Sequence, residues 1–381
     1  MKKFLLSFLL CIILPFAAEA EGVSQPETLA KEAVIIDFET GAVLYDKNAD
    51  IKTPTSSMSK VMTAMVVFDA IRSGKLSLEQ TLPVSEKAWR SEGSKMFVPL
   101  NSQVKVEDLI RGMIIQSGND ACVVLAEGVA GSEENFTELL NAKAKEIGMS
   151  GSHFMNSSGW PDPEHYSTVR DLAAMAKYLI TNYPDEYKYY SEKEFTYNNI
   201  KQGNRNPLLY KNMGADGVKT GHTDDGGYGL IGSALREGRR VIMVINGTAS
   251  MQERADEASK LIEWALVSFK NLDVVKKGVP LAKAPVVLGA AREVDMVAGQ
   301  DLRTTVPAFA KDAFSLQVVY AAPLVAPISA GQEVGKVNVT LASGQSLSVP
   351  LLAAQNVPQS SFFSRVAEKF MILLVGVPKY Q

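Results

Sequence analysis

A chain of 381 residues with 39 Lys plus Arg against 42 Asp plus Glu has a net charge of -3, which leaves no basic footprint for nucleic acid. Its 46% hydrophobic and 21% charged composition excludes wholesale disorder and, at this length, allows two domains with separate cores. Three well-separated histidines (His153, His165, His222), two cysteines and no Cys-x-x-Cys pair argue against a metal site, and no cofactor is expected.

Residues 1–20 have the make-up of a secretory signal. Lys2 and Lys3 precede an apolar run from Phe4 to Phe16, and Ala18-Glu19-Ala20 is a small-x-small cleavage site. The run is shorter than the ~20 apolar residues a spanning helix needs. Cleavage would remove two lysines, one glutamate and Cys11, leaving a charge of -4 and a single cysteine, Cys122. The mature chain is therefore read as exported but independent of any internal disulfide.

Next in the chain, Ala33–Phe38 and Ala42–Tyr45 flank Glu39-Thr40-Gly41 as a hairpin. Pro54-Thr-Ser-Ser57-Met-Ser-Lys60 opens a helix that runs to Ser73. Further helices are expected over Val106–Gln116, Asp120–Val129, Glu133–Ile147 and Val169–Thr181. A second hairpin joins Tyr228–Leu235 to Arg240–Asn246, and a helix follows over Met251–Phe269. Helices enclosed between two hairpins suggest an antiparallel sheet whose first and last hairpins pair and carry a helical cluster. Beyond residue 272 short Val-rich runs alternate with Gly and Pro turns (284–288, 314–320, 335–341, 346–351), the pattern of a small all-β sandwich. Phe362–Val375 closes the chain as an amphipathic helix. Its apolar face carries Phe362, Phe363, Val366, Phe370, Leu373 and Leu374, and Ile372 is a misfit on the polar side. Pro358 and Gln359-Ser360-Ser361 separate it from the strands, so it reads as a membrane-surface helix.

Chemistry enters at Ser57 and Lys60, which share a helical face at a spacing of three. A serine needs a base to take its proton, and a lysine can serve only when burial or a neighbouring cation keeps it neutral. Ser102-Gln-Val-Lys105 repeats the spacing, but Val104 and Val106 alternate there as in a strand. Ser117-Gly-Asn119 and Lys219-Thr220-Gly221 each occur once. In this order, S-x-x-K, S-x-N and K-T-G are the motif set of serine β-lactamases and penicillin-binding proteins. Cys122, three residues after Asn119 on an apolar helix, reads as a buried core thiol.

Over nearly all of the mature chain the sequence resembles the D-alanyl-D-alanine carboxypeptidases, low-molecular-mass penicillin-binding proteins with a C-terminal amphipathic anchor. The likeness extends to Lys219-Thr-Gly-His-Thr223, Gly203-Asn-Arg-Asn206, His153-Phe-x-Asn156-x-x-Gly159 and His165-Tyr-Ser-Thr168, with Pro207 where related sequences have Gly. It implies an α+β fold. Residues 21–272 would form a serine β-lactamase/transpeptidase-like domain, 273–358 a small all-β domain and 359–381 the anchor. It also implies a place on the periplasmic face of the inner membrane.

The resemblance assigns roles as well. Ser57 would attack the penultimate D-alanine of a peptidoglycan pentapeptide and Lys60 would accept its proton. Ser117 and Lys219 would relay a proton to the leaving D-alanine, with Lys219 also the cation that keeps Lys60 neutral. Asn119 would hold the substrate amide, and the backbone N–H groups of Ser57 and His222 would form the oxyanion hole. Thr220, beside Gly221, and Arg254 would grip the terminal carboxylate, although Glu253, Asp256 and Glu257 compete for Arg254 as ion-pair partners. β-Lactams would acylate the same serine. Two other readings stand beside this one. A β-lactamase would need a glutamate in a Glu-x-x-Leu-Asn context, where Leu140-Asn141 is preceded by Thr137. A non-catalytic envelope scaffold would have no need of the three motifs.

Overall fold

The run Val241-Ile-Met-Val-Ile245 is apolar at every position, which an antiparallel strand can be only if both of its faces are covered. It lies inside the central strand of a five-stranded sheet. The computed structural model describes residues 23–310, 313–342 and 344–375; the signal expected at 1–20 lies outside them. The described chain divides into two units, one of residues 23–274 and 302–310, the other of 275–301 and 313–375.

In chain order the first unit begins β1 (Glu32–Asp37), β2 (Val43–Lys47), α1 (Lys60–Arg72), β3 (Thr81–Pro83), α2 (Glu86–Arg90), β4 (Gln103–Lys105), α3 (Val106–Ile115). It continues through α4 (Asn119–Ala130), α5 (Glu133–Ile147), α6 (Val169–Asn182), β5 (Glu194–Tyr197) and β6 (Ile200–Gly203). It ends with β7 (Ala215–Thr223), β8 (Gly227–Arg236), β9 (Arg239–Thr248), α7 (Met251–Ser268) and β10 (Phe269–Val275). The sheet order is β2-β1-β9-β8-β7. The first and last hairpins pair as expected, with Ala33 opposite Ile245 and Ile35 opposite Met243.

Alternation along β9 sends Ile242 and Val244 into the helical cluster with Val34 and Ile231. Met243 points the other way, toward Ile262 of α7 across Gly232. Within the cluster α1 is the hub, packed on α3, α4, α5 and α6. Its sequence KVMTAMVVF is buried at all nine positions, as a helix apolar all round must be. The first of those positions is a lysine.

The expected helix start is different in detail. Ser56–Ser59 form a 3-10 turn and the α-helix begins at Lys60. In a 3-10 turn residues three apart eclipse one another, so the tighter winding stacks Ser57 against Lys60 more closely than an α-turn would. Residues 215–223 form an edge strand, β7, which no hydrophobic alternation announces.

In the second unit β11 (Pro280–Val287), β12 (Glu293–Ala298), β14 (Phe314–Tyr320), β15 (Leu324–Val325), β16 (Glu333–Leu341) and β17 (Ser346–Ala353) form a six-stranded sheet. Its order is β14-β16-β17-β12-β11-β15, antiparallel except for β11 with β15. This is the all-β architecture expected after residue 272. The remaining strand, β13 (Leu302–Pro307), pairs with β10 in the first unit.

Helix α8 (Phe362–Val375) leaves a row of apolar side chains in solvent, Phe363 at 83% and Leu373 at 82% exposed. Gln359-Ser360 is not the separator it resembles in sequence. Ser360 N–H donates to Leu288 O, and Ala290 N–H to Pro358 O, so the connector is tied to the β unit up to the helix. Arg292 pairs with Glu368 at 2.7 Å, and Arg365 donates to Gln359. Arg365, Glu368 and Ile372 are the half-buried side chains of this helix, which accounts for the apolar misfit at Ile372. Among the described residues no helix is long and apolar enough to cross a membrane.

A buried ion pair fastens the outer side of the sheet. Asp37 at the end of β1 is fully buried and accepts from Glu39 N–H, Thr40 N–H, Asn271 Nδ2 and, at 2.9 Å, Arg239 Nε. Arg239 also donates to the carbonyls of Ala265 and Phe269, closing α7 onto β10. Removing one partner of such a pair strands the other charge in the interior. Asp37→Ala is expected to cost about 3–5 kcal/mol, seen as a lower urea midpoint, and Asp37→Asn, which keeps one oxygen for the N–H groups of Glu39 and Thr40, less.

Candidate active site

The 3-10 turn puts Ser57 half-exposed at the mouth of a cleft while Ser56, Met58, Ser59 and Lys60 around it are buried. Lys60, 1% exposed, donates from Nζ to Ser57 Oγ at 2.7 Å and to the carbonyl oxygen of Ser158 at 2.5 Å. Burial disfavours the ammonium, and the Arg205 cation adds to the effect, bringing the amine down from 10.5 to about 8. An amine that gives up its proton near neutrality, in contact with a hydroxyl, can act as that hydroxyl's base.

Ser117 is reached from the other side. It sits at φ +66° just before α4, a left-handed conformation uncommon outside Gly, Asn and Asp. Lys219 of β7 donates to its Oγ at 2.9 Å. Lys219 is also buried, and its amine is driven well below the usual lysine range, by burial first and then by Lys60 and Arg205. Burial thus pushes both lysines toward the neutral form.

The rest of Ser117-Gly-Asn119-Asp120 organises the loop opposite. Asn119 Nδ2 donates to Glu92 O and Asn119 N–H to Ser94 O, both at 2.7 Å. The Asp120 carboxylate accepts from the N–H groups of Met96, Phe97 and Val98. Cys122, one turn further along, is fully buried, and burial pushes its thiol up to about 12, so it is the inert core thiol expected.

Gly221 lets β7 close on the 3-10 turn, since a Cβ there would lie 2.8 Å from Thr55 O. His222 beyond it is exposed and stacks on Tyr228 with ring centroids 3.9 Å apart. Arg254 does not pair with its acidic neighbours. Glu253 caps the N-terminus of α7, Asp256 takes Gln252, and Glu257 takes Lys260. The guanidinium turns inward over Tyr228 to Gly221 O and stays cationic even though burial lowers it to about 10. Thr220, Gly221, His222 and Arg254 all line one cleft of about 760 Å³ together with Ser57, Ser117 and Asn119.

Two further groups in this cleft are not singled out by motif spacing. Arg205, within the Gly203–Asn206 stretch, donates to Ser94 Oγ and lines the wall beside Trp160. Neither Arg205 nor Arg254 has a carboxylate partner within the cleft, where Asp224 is the one acid among the described lining residues. The Ser158 carbonyl is the second group. Being main chain, it has no residue-type signal. Pro207 opens a 3-10 turn (Pro207–Tyr210) capped by Asn206, a position its fixed φ suits. Thr137, where a β-lactamase of that type would carry its glutamate, donates its hydroxyl to Glu134 O and is outside the cleft.

Comparison with known proteins places this arrangement. A family model described as D-alanyl-D-alanine carboxypeptidase matches residues 19–250, and one described as penicillin-binding protein 5, C-terminal domain, matches residues 269–359. The chain is 34% identical over 388 residues to D-alanyl-D-alanine carboxypeptidase DacA of Escherichia coli K12, covering 98% of this chain and 96% of that one. Penicillin-binding protein 5 of Haemophilus influenzae superposes with a TM-score of 0.78 at 36% identity, over 89% of this chain and all of that one. Ampicillin-bound penicillin-binding protein D2 of Listeria monocytogenes superposes with a TM-score of 0.59 at 31% identity, over 64% of this chain and 99% of that one.

His165 supplies a pH-dependent element beside the site. Its Nδ1 accepts from Met155 N–H and its Nε2 contacts Ser59 Oγ at 2.8 Å, which assigns the proton to Nε2. Burial lowers its pKa from 6.5 to about 4. The unfolded chain therefore binds a proton in a range where the folded protein does not, so stability falls as pH drops from about 6.5 to 4. Wild type is expected to lose up to about 3 kcal/mol more than His165→Gln across that window, measured by urea unfolding at several pH values.

Proposed function

The chain belongs to the D-alanyl-D-alanine carboxypeptidase family, and from that premise we propose that Ser57 is its nucleophile and Lys60 the base that activates it. The protein is a serine-type carboxypeptidase that removes the terminal D-alanine of peptidoglycan pentapeptides through an acyl-enzyme, and it binds penicillin. In the proposed mechanism Ser57 Oγ bonds to the carbonyl carbon of the penultimate D-alanine as its proton passes to Lys60. The oxyanion is held by the N–H groups of Ser57 and His222, where one donor contributes about 3 kcal/mol. The C–N bond then breaks as Ser117 gives its hydroxyl proton to the departing D-alanine nitrogen and takes one in turn from the Lys60 ammonium, directly or through Lys219, so that Lys60 is neutral again. Water hydrolyses the ester, returning Ser57 and releasing the tetrapeptide. Thr220 and Arg254 take the terminal carboxylate, and Asn119 orients the substrate amide. Gly221 keeps β7 close to Ser57. The observation that carries this reading is the 2.7 Å contact between Ser57 and a lysine that burial brings to about 8.

The same reading extends to location. Removal of residues 1–20 would deliver the protein to the periplasm. Residues 21–272 would form the catalytic domain, 273–358 the β domain and 359–381 a helix lying in the surface of the inner membrane. The exposed row Phe362, Phe363, Val366, Phe370, Leu373 and Leu374 supports this, because an amphipathic helix of 14 residues can enter the interface but not span it.

Purified protein is expected to release D-alanine from a pentapeptide ending in D-Ala-D-Ala and to carry labelled penicillin on the peptide containing Ser57. Ser57→Ala should lose both by at least about a thousandfold. Label on another residue, or release unchanged by the substitution, would overturn the assignment. Deleting residues 361–381 is expected to move the protein from the membrane to the soluble fraction while leaving activity on soluble peptide intact; an unchanged distribution would refute the anchor.

A further inference from the structure

The carbonyl of Ser158 that accepts from Lys60 belongs to a loop, and a loop is ordinarily a poor place from which to aim a catalytic group. This loop is fixed at each residue. The side-chain oxygen of Asn156 accepts from the N–H groups of Ser158 (3.2 Å), Gly159 (2.8 Å) and Trp160 (2.9 Å), while its Nδ2 donates to Trp160 O. Ser157 gives both its N–H and its hydroxyl to Oε1 of Glu133, at 3.0 and 2.6 Å. The Ser157 carbonyl accepts from Thr63 Oγ1 at 2.6 Å, and Thr63 lies one turn after Lys60 on α1. The loop is therefore keyed to the helix that carries the amine.

Glu133 is held in turn. Its Oε2 lies 3.1 Å from Lys87 of α2, and only 12% of its side chain is exposed. On the cleft side Gly159, at φ +77°, seats the loop against the nucleophile's own backbone, where a Cβ would fall 1.9 Å from Ser56 O. Neither Glu133 nor Asn156 lines the cleft.

We propose that Glu133 and Asn156 are positioning residues for the base: together they hold the Ser158 carbonyl where it sets the orientation of the Lys60 amine. The proposal rests on Lys60 being the base. A neutral amine has two N–H bonds and one lone pair. With one N–H committed to Ser158 O, rotation about Cε–Nζ is fixed and the lone pair can face the Ser57 hydroxyl. When the proton arrives, the new ammonium charge meets the negative end of a carbonyl already in place, which is the preorganisation that favours a charge developing in the transition state.

The test compares Glu133→Ala and Asn156→Ala with the conservative Glu133→Gln and Asn156→Asp, each of which keeps the accepting oxygen. Acylation by a fluorescent penicillin is followed over a concentration series, which resolves the first-order acylation step and the affinity of the initial non-covalent complex as two separate constants. Thermal unfolding is recorded in parallel. Both alanine variants should lose about tenfold or more in the acylation step with binding little changed. The conservative variants should recover to within about threefold of wild type. Alanine variants that acylate at the wild-type rate would overturn the proposal, and so would conservative variants that fall as far as alanine. The two positions are independent, so if one alanine variant does not fold the other decides. Lys60→Ala separates the two levels. Loss of acylation there, with the alanine variants unaffected, defeats the positioning role alone; retention of acylation there defeats the base assignment itself.

Discussion

Everything at this site depends on a lysine amine being placed where water cannot reach it. Lys60 begins a helix that is buried on all sides, and the cluster of α3, α4, α5 and α6 around that helix makes the first turn an interior position rather than a surface end. Taking an ammonium out of water is costly, and the group responds by moving its proton equilibrium toward neutrality. The same packing that makes the core thus makes the amine a base. In a protein with three histidines, none of them in contact with Ser57, it fills the role an imidazole takes in other serine hydrolases.

Such a position has to be enclosed by segments far apart in sequence, and each closes at a point where no bulk or no strain-free conformation is available. Gly221 and Gly159 approach the backbone of the 3-10 turn from opposite sides, at separations that leave no room for a Cβ. Ser56 and Ser117 sit in left-handed backbone conformations that non-glycine residues rarely adopt. Asn119 and Asp120 bond to main-chain groups of the loop opposite, and Asn156 to those of its own loop, which fixes the walls around these residues.

What the sequence made legible follows from what a sequence encodes well. Helices α3, α5, α6 and α7 and the pairing of the two hairpins are readable from periodicity, because each buries one consistent face, and α4 from its apolar run. The three motifs were readable from residue type, since Ser57, Lys60, Ser117 and Lys219 act through their side chains. Strand β7 was not, because Val-Lys-Thr-Gly-His places a buried lysine and a close-packed glycine where alternation would put apolar groups. The Ser158 carbonyl left no trace because every residue has one. Arg205 lay in a stretch without period, visible only as part of a family likeness. The connector before α8 looked like a linker by composition, yet its backbone adds hydrogen bonds to the β unit, an outcome that polar residue types do not forbid.

Burial above all, with the Arg205 cation adding to it, turns Lys60 into an amine that gives up its proton far more readily than an ordinary lysine. Heteronuclear NMR of protein labelled at the lysine ε-carbons measures this directly, with Lys60→Arg to assign the resonance. A titration midpoint near 8 is the predicted result. A midpoint at the ordinary lysine value of about 10.4 would mean that the ammonium persists in the cleft and that some other group takes the Ser57 proton.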